Sequence, residues 1–568
     1  MRTLSLILSL LGPSDLIAAS KPNVIVILTD DQGNGDLSKH GNPVLKTPNI
    51  DRIADTGVRL TSFHNAPVCA PTRASLLTGR YYYRTGVVDT FIGRAMMHPD
   101  ETTLAESLGK AGYRTGLVGK WHLGDSYPLR PQDQGFGEVL MHKGGGIAQP
   151  SDPPGGNSYT DPFLEHNGKT VQKKGYVTDV FTDAALDFVS KDGGPFFLWL
   201  AYNAPHGPLQ VPEKYLPEFQ KANLDPANFP NVGYPWKNSQ PGPTQRVYAM
   251  VKNIDENVGR LLAKLDEKKL RENTIVVFMT DNGPQQERYR MGFRDNKGSV
   301  FEGGIRVPFF LSWPASIPAG HEVATPAAHI DLLPTLLDLC SVERGEGLPL
   351  DGRSLAPLMR KTETKWPDRV LFSQWHRGEV PEKGRAFAAI GPRWKLVQPA
   401  GVGEGSKIDN AALQLYDLLA DPYEQHDKAK DQPAEVAALK KAYEAWFDDV
   451  KKDRSFLPPR IGIGSEKEPT TMLTRQDWRG PKAGWTPMSL GHWEVDIAKA
   501  GAYRVKLWFA ATKEEELVTF QVGTAKVEKK VPAGTKELSL DAMLPKGPGR
   551  VEVNVGGVGV THVELTPQ

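Results

Sequence analysis

The segment Asn23-Val-Ile-Val-Ile-Leu-Thr-Asp-Asp31 runs through continuous β-branched and aliphatic residues into a pair of aspartates. An uninterrupted apolar run of this kind is typical of a strand that is buried on both faces of a parallel sheet. Similar runs recur at residues 196–200 and 275–279. Helical periods lie between the runs, at residues 103–113, 176–191 and 247–265. We therefore expect an α/β sandwich around a mostly parallel central sheet.

Acidic and amide side chains end two of these predicted strands, as Asp30-Asp31 and as Asp281-Asn282. Ligand sites in open α/β sheets lie beyond the carboxyl ends of the strands, so these four side chains should converge there. They offer hard oxygen ligands, which favours Ca²⁺ or Mg²⁺ over zinc. Capping is the alternative role for any one of them. Because both pairs occur at strand ends, we favour a metal site.

The length and charge of the chain exclude several classes of protein. With 568 residues, the chain is too long for one hydrophobic core, and we expect two or three domains. A net charge of +1 gives no sign of a nucleic-acid or membrane-surface partner.

Residues 1–20 combine Arg2, a short apolar run and small residues, which predicts an export signal and a periplasmic or extracellular location. That run is too short to span a bilayer, and no other candidate span occurs.

Changes in residue pattern divide the chain after the export signal. We predict a large α/β domain at residues 21–365, a smaller α+β subdomain at 366–455, a linker at 456–470 and an all-β sandwich at 471–568. The all-β sandwich could be a carbohydrate-binding module or a structural brace. Its candidates for sugar-stacking platforms, of which at least half should instead be core residues, are Trp478, Trp485, Trp493 and Trp508.

Two further stretches could border a site. Residues 143–175 are rich in Gly, Pro and polar residues, and we interpret them as a long surface loop near the mouth of the site. Arg288, Arg290 and Arg294 could contact an acidic glycan, although a solvated charged loop explains them equally well.

The chain has only two cysteines, Cys69 and Cys340. Cys340 ends an apolar stretch and is interpreted as a small buried hydrophobe. Cys69 lies in a different setting, Pro67-Val-Cys-Ala-Pro-Thr-Arg73, which continues to Thr78-Gly-Arg80. A disulfide between the two cysteines is the alternative pairing, and a low-pKa thiolate nucleophile is an alternative role for Cys69.

The segment from Cys69 to Arg80 resembles the signature of the type I sulfatases, which belong to the alkaline phosphatase superfamily. That signature begins Cys-x-Pro-x-Arg and continues to Thr-Gly-Arg, and the chain matches it throughout. Further segments similar to the family occur in the family's order, at residues 23–33, 119–124, 204–208, 280–283 and 296–308. The resemblance covers roughly residues 21–450 and implies an alkaline-phosphatase-like sandwich.

The resemblance also implies a formylglycine-dependent site. Cys69 would be oxidised by a formylglycine-generating enzyme, and the formylglycine hydrate would attack the sulfur of a sulfate ester. The catalytic residues implied are Cys69, Arg73, Lys120, His122, His206, Asp281 and Lys297. The metal ligands implied are Asp30, Asp31, Cys69, Asp281 and Asn282. Ca²⁺ is preferred to Mg²⁺ by the resemblance alone.

By the same resemblance, the cationic side chains have separate roles. Arg73 and His122 would hold the formylglycine hydrate. Lys120 and Lys297 would bind sulfate oxygens, while the metal neutralises charge on the same group. His206 would protonate the leaving alcohol oxygen with help from Lys297.

We therefore expect a sulfatase that hydrolyses a sulfate ester, with a sulfated carbohydrate as substrate because the chain combines export with an added β-domain. An aryl or alkyl sulfate is the open alternative for the substrate. The alternative function is that of a formylglycine-dependent phosphodiester or phosphonate ester hydrolase of the same superfamily. A non-catalytic binding protein is a third hypothesis. The presence of every implied catalytic residue argues against it.

Overall fold

A computed structural model describes residues 21–363, 366–408 and 412–568 of the chain, so the predicted export signal lies outside the described residues. Its centre is a ten-stranded sheet. In spatial order, the strands are His321–Val323, Val58–Leu60, Phe309–Ser312, Thr274–Thr280, Asn23–Thr29, Phe196–Ala201, Arg114–Lys120, Glu138–His142, Phe163–His166 and Lys169–Gln172. The neighbours from Thr274–Thr280 to Glu138–His142 are parallel, which confirms the prediction of a mostly parallel sheet.

The strand Asn23–Thr29 is covered on both faces. Val24, Val26 and Leu28 belong to one hydrophobic core, whereas Ile25 and Ile27 belong to the other. This double burial explains why the sequence carries a continuous apolar run there instead of an alternating one.

Helices pack over both of these cores. The helices of the first core are Cys69–Thr78, Leu104–Lys110, Leu332–Leu339 and Pro433–Arg454. Those of the second core are Pro48–Asp55, Val177–Ser190 and Pro241–Glu267. Among the described residues, no helix is both long enough and apolar enough to cross a membrane.

The smaller subdomain, residues 366–455, packs on the first core. Its antiparallel sheet has the order Leu371–Gln374, Phe387–Ile390, Trp394–Gln398 and Gln414–Asp417. Helix Pro433–Arg454 contacts this sheet through buried aromatic side chains, and the ring of Tyr443 stacks on that of Phe387 at a centroid distance of 3.6 Å. The subdomain therefore shares a hydrophobic core with the large domain.

A buried ion cluster also joins the subdomain to the large domain. Lys395 Nζ lies 2.7 Å from a carboxylate oxygen of Glu302 and 2.8 Å from one of Glu424. His64 Nε2 lies 3.2 Å from Glu302, and all four side chains are buried. Two buried carboxylates repel each other and lose their hydration, so Lys395 is needed to compensate both.

Replacing Lys395 with methionine should therefore destabilise the protein by about 3–5 kcal/mol, because two buried carboxylates lose their shared cation. The measurement is the midpoint of thermal unfolding followed by circular dichroism. The matched control is Lys440→Met, which removes a lysine whose side chain is 55% exposed and should leave the midpoint unchanged. Equal midpoints for the wild type and Lys395→Met would contradict this account.

The C-terminal β-domain, residues 461–568, is a sandwich of two sheets. One sheet has the order Ile461–Ile463, Leu490–Ile497, Gly547–Val555, Glu516–Val522 and Ala525–Val531, with Arg479–Lys482 and Val558–Gly559 paired beside it. The other has the order Thr471–Thr474, His562–Pro567, Gly501–Trp508 and Glu537–Leu544. Ile461–Ile463 lies inside the stretch predicted as a linker, which is shorter than expected because both isoleucines are buried and the strand pairs with Leu490–Ile497.

The tryptophans of the β-domain divide as the sequence predicts. Trp478 and Trp493 are fully buried in the domain core, and Trp508 is half-buried. Trp485 is 38% exposed, which leaves its ring available to a ligand.

Candidate active site

The two acidic pairs meet at the carboxyl ends of neighbouring strands. Thr29 and Thr280 are paired in register, so Asp30-Asp31 and Asp281-Asn282 leave the sheet side by side. The backbone N–H of Asp31 donates to Asp281 Oδ1 at 3.2 Å, and Asn282 Nδ2 donates to Asp31 Oδ1 at 2.8 Å. All four side chains are fully buried, so the convergence expected from the sequence is present.

Cys69 and Arg73 reach this cluster from the helix Cys69–Thr78. Cys69 is its first residue, and Arg73 lies one turn later on the same face. Cys69 Sγ and carboxylate oxygens of Asp30 and Asp281 all lie within 4.8 Å of one another. Arg73 Nη2 donates to Asp281 Oδ2 at 2.8 Å, which ties the helix to the strand end.

Three more cationic or basic side chains border the carboxylates. Lys120 Nζ lies 2.5 Å from Asp30 Oδ2, and Lys297 Nζ lies 2.6 Å from Asp31 Oδ1. His206 Nε2 lies 3.8 Å from Asp31 Oδ2. The site therefore concentrates positive groups that can bind an anion beside carboxylates that can bind a cation.

Two residues of the site have a left-handed backbone conformation. Asp31 has a φ of 65° and His122 a φ of 63°. Such conformations cost on the order of 1–3 kcal/mol for residues other than glycine and persist where the surrounding structure holds them. His122 is held by its Nε2–H, which donates to the carbonyl oxygen of Thr90 at 2.7 Å.

The buried oxygens fit a metal ion. Within the described part of the chain, Asp30 Oδ1, Asp31 Oδ2 and Asn282 Oδ1 accept no hydrogen bond. Burial and the neighbouring charge of Asp30 raise the pKa of Asp281 to about 6. Burial would also raise the pKa of Asp31, but Lys297 and His206 hold it below its usual range. A cation among these oxygens would provide the missing partners and stabilise the ionised carboxylates.

The two cysteines are not paired with each other. Cys69 and Cys340 are both buried free thiols, so the disulfide alternative is wrong. Burial raises the pKa of the Cys69 thiol, although Lys120 and Lys297 act in the opposite direction. A raised pKa disfavours the thiolate, which argues against an unmodified cysteine nucleophile.

Arg288 neither contacts the site mouth nor lies in a solvated loop, the two roles that the sequence suggested for it. Its side chain is fully buried, and its guanidinium pairs with Asp36 at 2.7 Å. Arg288 Nη2 also donates to the carbonyl oxygen of Asp31 at 2.7 Å. Arg288 therefore supports the backbone at Asp31 from inside the protein, and both the glycan contact and the solvated loop were wrong for it.

The stretch predicted as a surface loop, residues 143–175, reaches the site through Gly145 and Gln149, but it is not a loop throughout, because Phe163–His166 and Lys169–Gln172 pair in the central sheet. A cavity of about 260 Å³ opens at Cys69 and is also lined by His122, His206, Lys297, Gly145 and Gln149. A methyl group added at Gly145 would lie 2.7 Å from the His122 ring. Gln149 Oε1 is buried and has no hydrogen-bond partner among the described residues, so it can accept a bond from a ligand hydroxyl. No local signal in the sequence singled out these two residues.

Gly145→Ala should reduce turnover by about 10²-fold, because the added methyl group displaces the His122 ring and small displacements of reacting groups have effects of that size. Steady-state turnover of the variant and the wild type under the same conditions measures the change. Gly242→Ala is the matched control, since nothing lies within 4 Å of its added methyl group. The proposed close contact with His122 is wrong if Gly145→Ala and Gly242→Ala have the same turnover.

Comparison with known proteins connects this geometry to a family. The family model described as Sulfatase matches residues 22–342, which is more than half of the chain. The chain belongs to the sulfatase family. A second model, N-sulphoglucosamine sulphohydrolase, C-terminal, matches residues 291–451. Both matches end before the β-domain begins, and they confirm the resemblance seen at Cys69 to Arg80.

Similar sulfatases include arylsulfatase A of Bos taurus, which is 33% identical over 522 residues, covering 83% of this chain and 96% of that protein. N-acetylgalactosamine-6-sulfatase of Sus scrofa is 33% identical over 411 residues, covering 66% of this chain and 72% of that protein. Among solved structures, the crystal structure of Ps i-CgsB in complex with k-i-k-neocarrahexaose superposes with a TM-score of 0.64 and 30% sequence identity. The superposition covers 77% of this chain and 94% of that chain. This sulfatase is therefore a sulfuric ester hydrolase, and its family implies a metal ion and a formylglycine residue.

Proposed function

We propose that this sulfatase uses Cys69, oxidised to formylglycine, together with a calcium ion to release sulfate from a sulfated carbohydrate. The observation that carries the proposal is the position of Cys69. Its Sγ lies within 4.8 Å of carboxylate oxygens of Asp30 and Asp281 in a buried site that also contains cations. Hydrolysis of an anionic ester requires a nucleophile, cations that bind the anion, and oxygen ligands that can hold a metal ion.

Calcium fits the available ligand atoms. Asp30, Asp31, Asp281 and Asn282 would hold the ion through oxygen, together with position 69, and oxygen ligand sets suit Ca²⁺. When bound, the ion would neutralise negative charge on the sulfate group. The preference for Ca²⁺ over Mg²⁺ rests on the family resemblance, and restoring metal-free protein with each ion in turn distinguishes the two.

The cations of the chain have separate roles in this proposal. Formylglycine, when present, supplies a hydrated aldehyde as nucleophile. Arg73 and His122 hold and orient that group, since Arg73 lies one turn after Cys69 on the same helix and His122 lines the cavity at Cys69. Lys120 and Lys297 bind the sulfate oxygens, where fixed positive charges stabilise the developing negative charge.

His206 is the proposed acid for the leaving alcohol oxygen. Its Nδ1–H donates to the carbonyl oxygen of Gly207 at 2.7 Å, which leaves Nε2 available to the substrate. Burial lowers the pKa of His206 to about 4, and the charge of Asp31 acts in the opposite direction. A bound anionic ester would act in the same direction as Asp31 and favour the protonated form that an acid needs. Lys297 would assist at the same oxygen.

A sulfated carbohydrate is the proposed substrate class. The Sus scrofa relative is named for an N-acetylgalactosamine 6-sulfate, and Ps i-CgsB was solved with a neocarrahexaose. The export signal predicted at residues 1–20 agrees with a substrate outside the cytoplasm. The proposal also requires a formylglycine-generating enzyme as maturation partner.

Sulfate release from a panel of esters tests this function. The panel contains N-acetylgalactosamine 6-sulfate, a sulfated neocarrahexaose, an aryl sulfate and the phosphate diester of the same phenol. We expect kcat/KM to be highest for a sulfated carbohydrate. A phosphate diester hydrolysed faster than every sulfate ester would instead favour the phosphodiester or phosphonate hydrolase.

A further inference from the structure

The walls of the cavity at Cys69 come from three parts of the chain. Phe91 belongs to the large domain, Arg377 to the subdomain and Trp485 to the C-terminal β-domain. Cys69 and His122 are each 2% exposed, whereas Trp485 is 38% exposed and the Arg377 side chain 36%. Position 69 and His122 therefore lie at the closed end of the cavity, and the three parts of the chain meet around its mouth.

The loop that carries Trp485 is fixed to the β-domain. The guanidinium of Arg475 donates to the carbonyl oxygens of Thr486 and Gly559, each at 2.6 Å. The backbone N–H of Gly559 donates to the carbonyl oxygen of Ser489 at 3.0 Å. Trp485 is thus presented by a braced turn, which reduces the entropy lost when a ligand binds to it.

The β-domain is also attached next to a residue of the reaction site. Gln476 Nε2 donates to the carbonyl oxygen of Thr90 at 3.0 Å, and Gly93 N–H donates to the carbonyl oxygen of Gln476 at 2.9 Å. The same Thr90 oxygen accepts the bond from His122 Nε2 at 2.7 Å. One carbonyl group therefore connects the β-domain to His122, which fixes the distance between Trp485 and the reaction site.

A second contact fixes the subdomain side of the mouth. Arg479 of the β-domain pairs with Glu379 at 2.6 Å, two residues from Arg377. The Arg377 guanidinium lies over the Phe91 ring at 4.6 Å and donates to Asp89 at 2.7 Å. Because a guanidinium has five donor hydrogens, Arg377 keeps donors for a hydroxyl or an anionic group of a ligand.

The aromatic pair at the mouth has the chemistry of a sugar platform. Phe91 and Trp485 form an edge-to-face pair with ring centroids 5.4 Å apart. Trp485 does more than cover Phe91, because the residue stays 38% exposed and lines the cavity. An exposed indole presents an electron-rich face, which attracts the apolar C–H face of a pyranose, and nearby polar groups can bind the hydroxyls at the ring edge.

We propose that Trp485, supported by Phe91 and Arg377, binds the sugar ring adjoining the sulfated one, so that the β-domain is part of the active site. The cavity of about 260 Å³ is slightly smaller than the usual small-molecule site, roughly 300–1,000 Å³, and so encloses little more than one ring. The next ring of an oligosaccharide then meets the mouth. This inference rests on the proposed carbohydrate substrate, and it excludes an independent carbohydrate-binding module as the main role of the domain.

The test compares Trp485→Ala, Trp485→Phe and wild type, all as full-length protein with oxidised Cys69. The probes are the best sulfated oligosaccharide of the panel and the sulfated monosaccharide from its reacting end. We expect Trp485→Ala to lower kcat/KM about tenfold or more on the oligosaccharide, by raising KM and leaving kcat unchanged. On the monosaccharide, the loss of kcat/KM should be several-fold smaller. Trp485→Phe should restore most of the oligosaccharide KM, since it keeps an aromatic face.

Met488→Ala is the control for damage to the loop, because Met488 is on the same turn and is 74% exposed. It should leave both substrates unaffected. If the wild type is active on the oligosaccharide and Trp485→Ala has the same KM, the inference is overturned and the proposed function stands. Equal losses on both probes also overturn it, since Trp485 would then act on the sulfated ring or on the shape of the site. No sulfate release by the wild type from any ester overturns the proposed function itself.

Discussion

Cys69→Ala should lower sulfate release by roughly 10⁴-fold or more, because the variant lacks the group that attacks sulfur and the remaining residues only bind the ester. Alanine occupies less volume than cysteine and starts the same helix, so the fold should persist. The measurement is initial-rate sulfate release from the best ester of the panel, with the unfolding midpoint recorded beside it.

Cys340→Ala is the matched control for the loss of Cys69. Cys340 is the second buried free thiol of the chain and lies outside the lining of the cavity. Its replacement should leave turnover near the wild-type value, even if the small cavity it creates lowers the unfolding midpoint. A Cys69→Ala variant that keeps a tenth of the wild-type rate would contradict any nucleophilic role for position 69.

Asp31→Asn should lower kcat/KM by roughly 10²- to 10³-fold, because it removes one charge from the proposed calcium site and from the partner of Lys297. Asparagine tolerates the left-handed backbone conformation found at this position, so the substitution isolates the charge. Removing calcium from the wild type with a chelator should cause a loss of similar or larger size, which added calcium reverses.

Calcium binding has a readout that does not depend on turnover. A ligand that binds only the folded state stabilises it by about 2.7 kcal/mol at one hundred times its dissociation constant, so calcium should raise the unfolding midpoint of the wild type. The rise should be smaller for Asp31→Asn at the same calcium concentration. Asp338→Asn, on the exposed side of helix Leu332–Leu339, should respond like the wild type. An identical calcium response in Asp31→Asn would show that Asp31 is not a ligand.

Much of the large domain could be predicted from the sequence because its central strands are buried on both faces. That burial requires the continuous apolar runs at residues 24–28, 196–200 and 275–279, which no solvated loop would carry. The edge strand His321–Val323 and its neighbour Val58–Leu60 could not be predicted in the same way. A strand of three residues is too short to show a period, and its pairing depends on long-range packing.

The site was predictable where it follows the strands. Asp30 and Asp281 follow strands with continuous apolar runs, and parallel strands end at one edge, so their meeting needed no further information. Thr90 and Phe91 could not be found in this way, and Trp485, a candidate sugar platform from the sequence, could not be placed at this site. They lie on loops of two separate domains, and only the packing of those domains brings them to the same cavity. The buried role of Arg288 was missed because its partner Asp36 is distant in the sequence, although both belong to the large domain.

The central claim is that oxidised Cys69 carries out the reaction, and the most direct measurement relates turnover to the oxidised fraction of that residue. Protein produced with different amounts of a formylglycine-generating enzyme is digested, and mass spectrometry of the peptide containing Cys69 gives the fraction of formylglycine. We predict that sulfate release per molecule rises in proportion to that fraction and extrapolates to zero for the unmodified thiol. Full turnover from protein whose Cys69 is entirely unmodified would contradict the account.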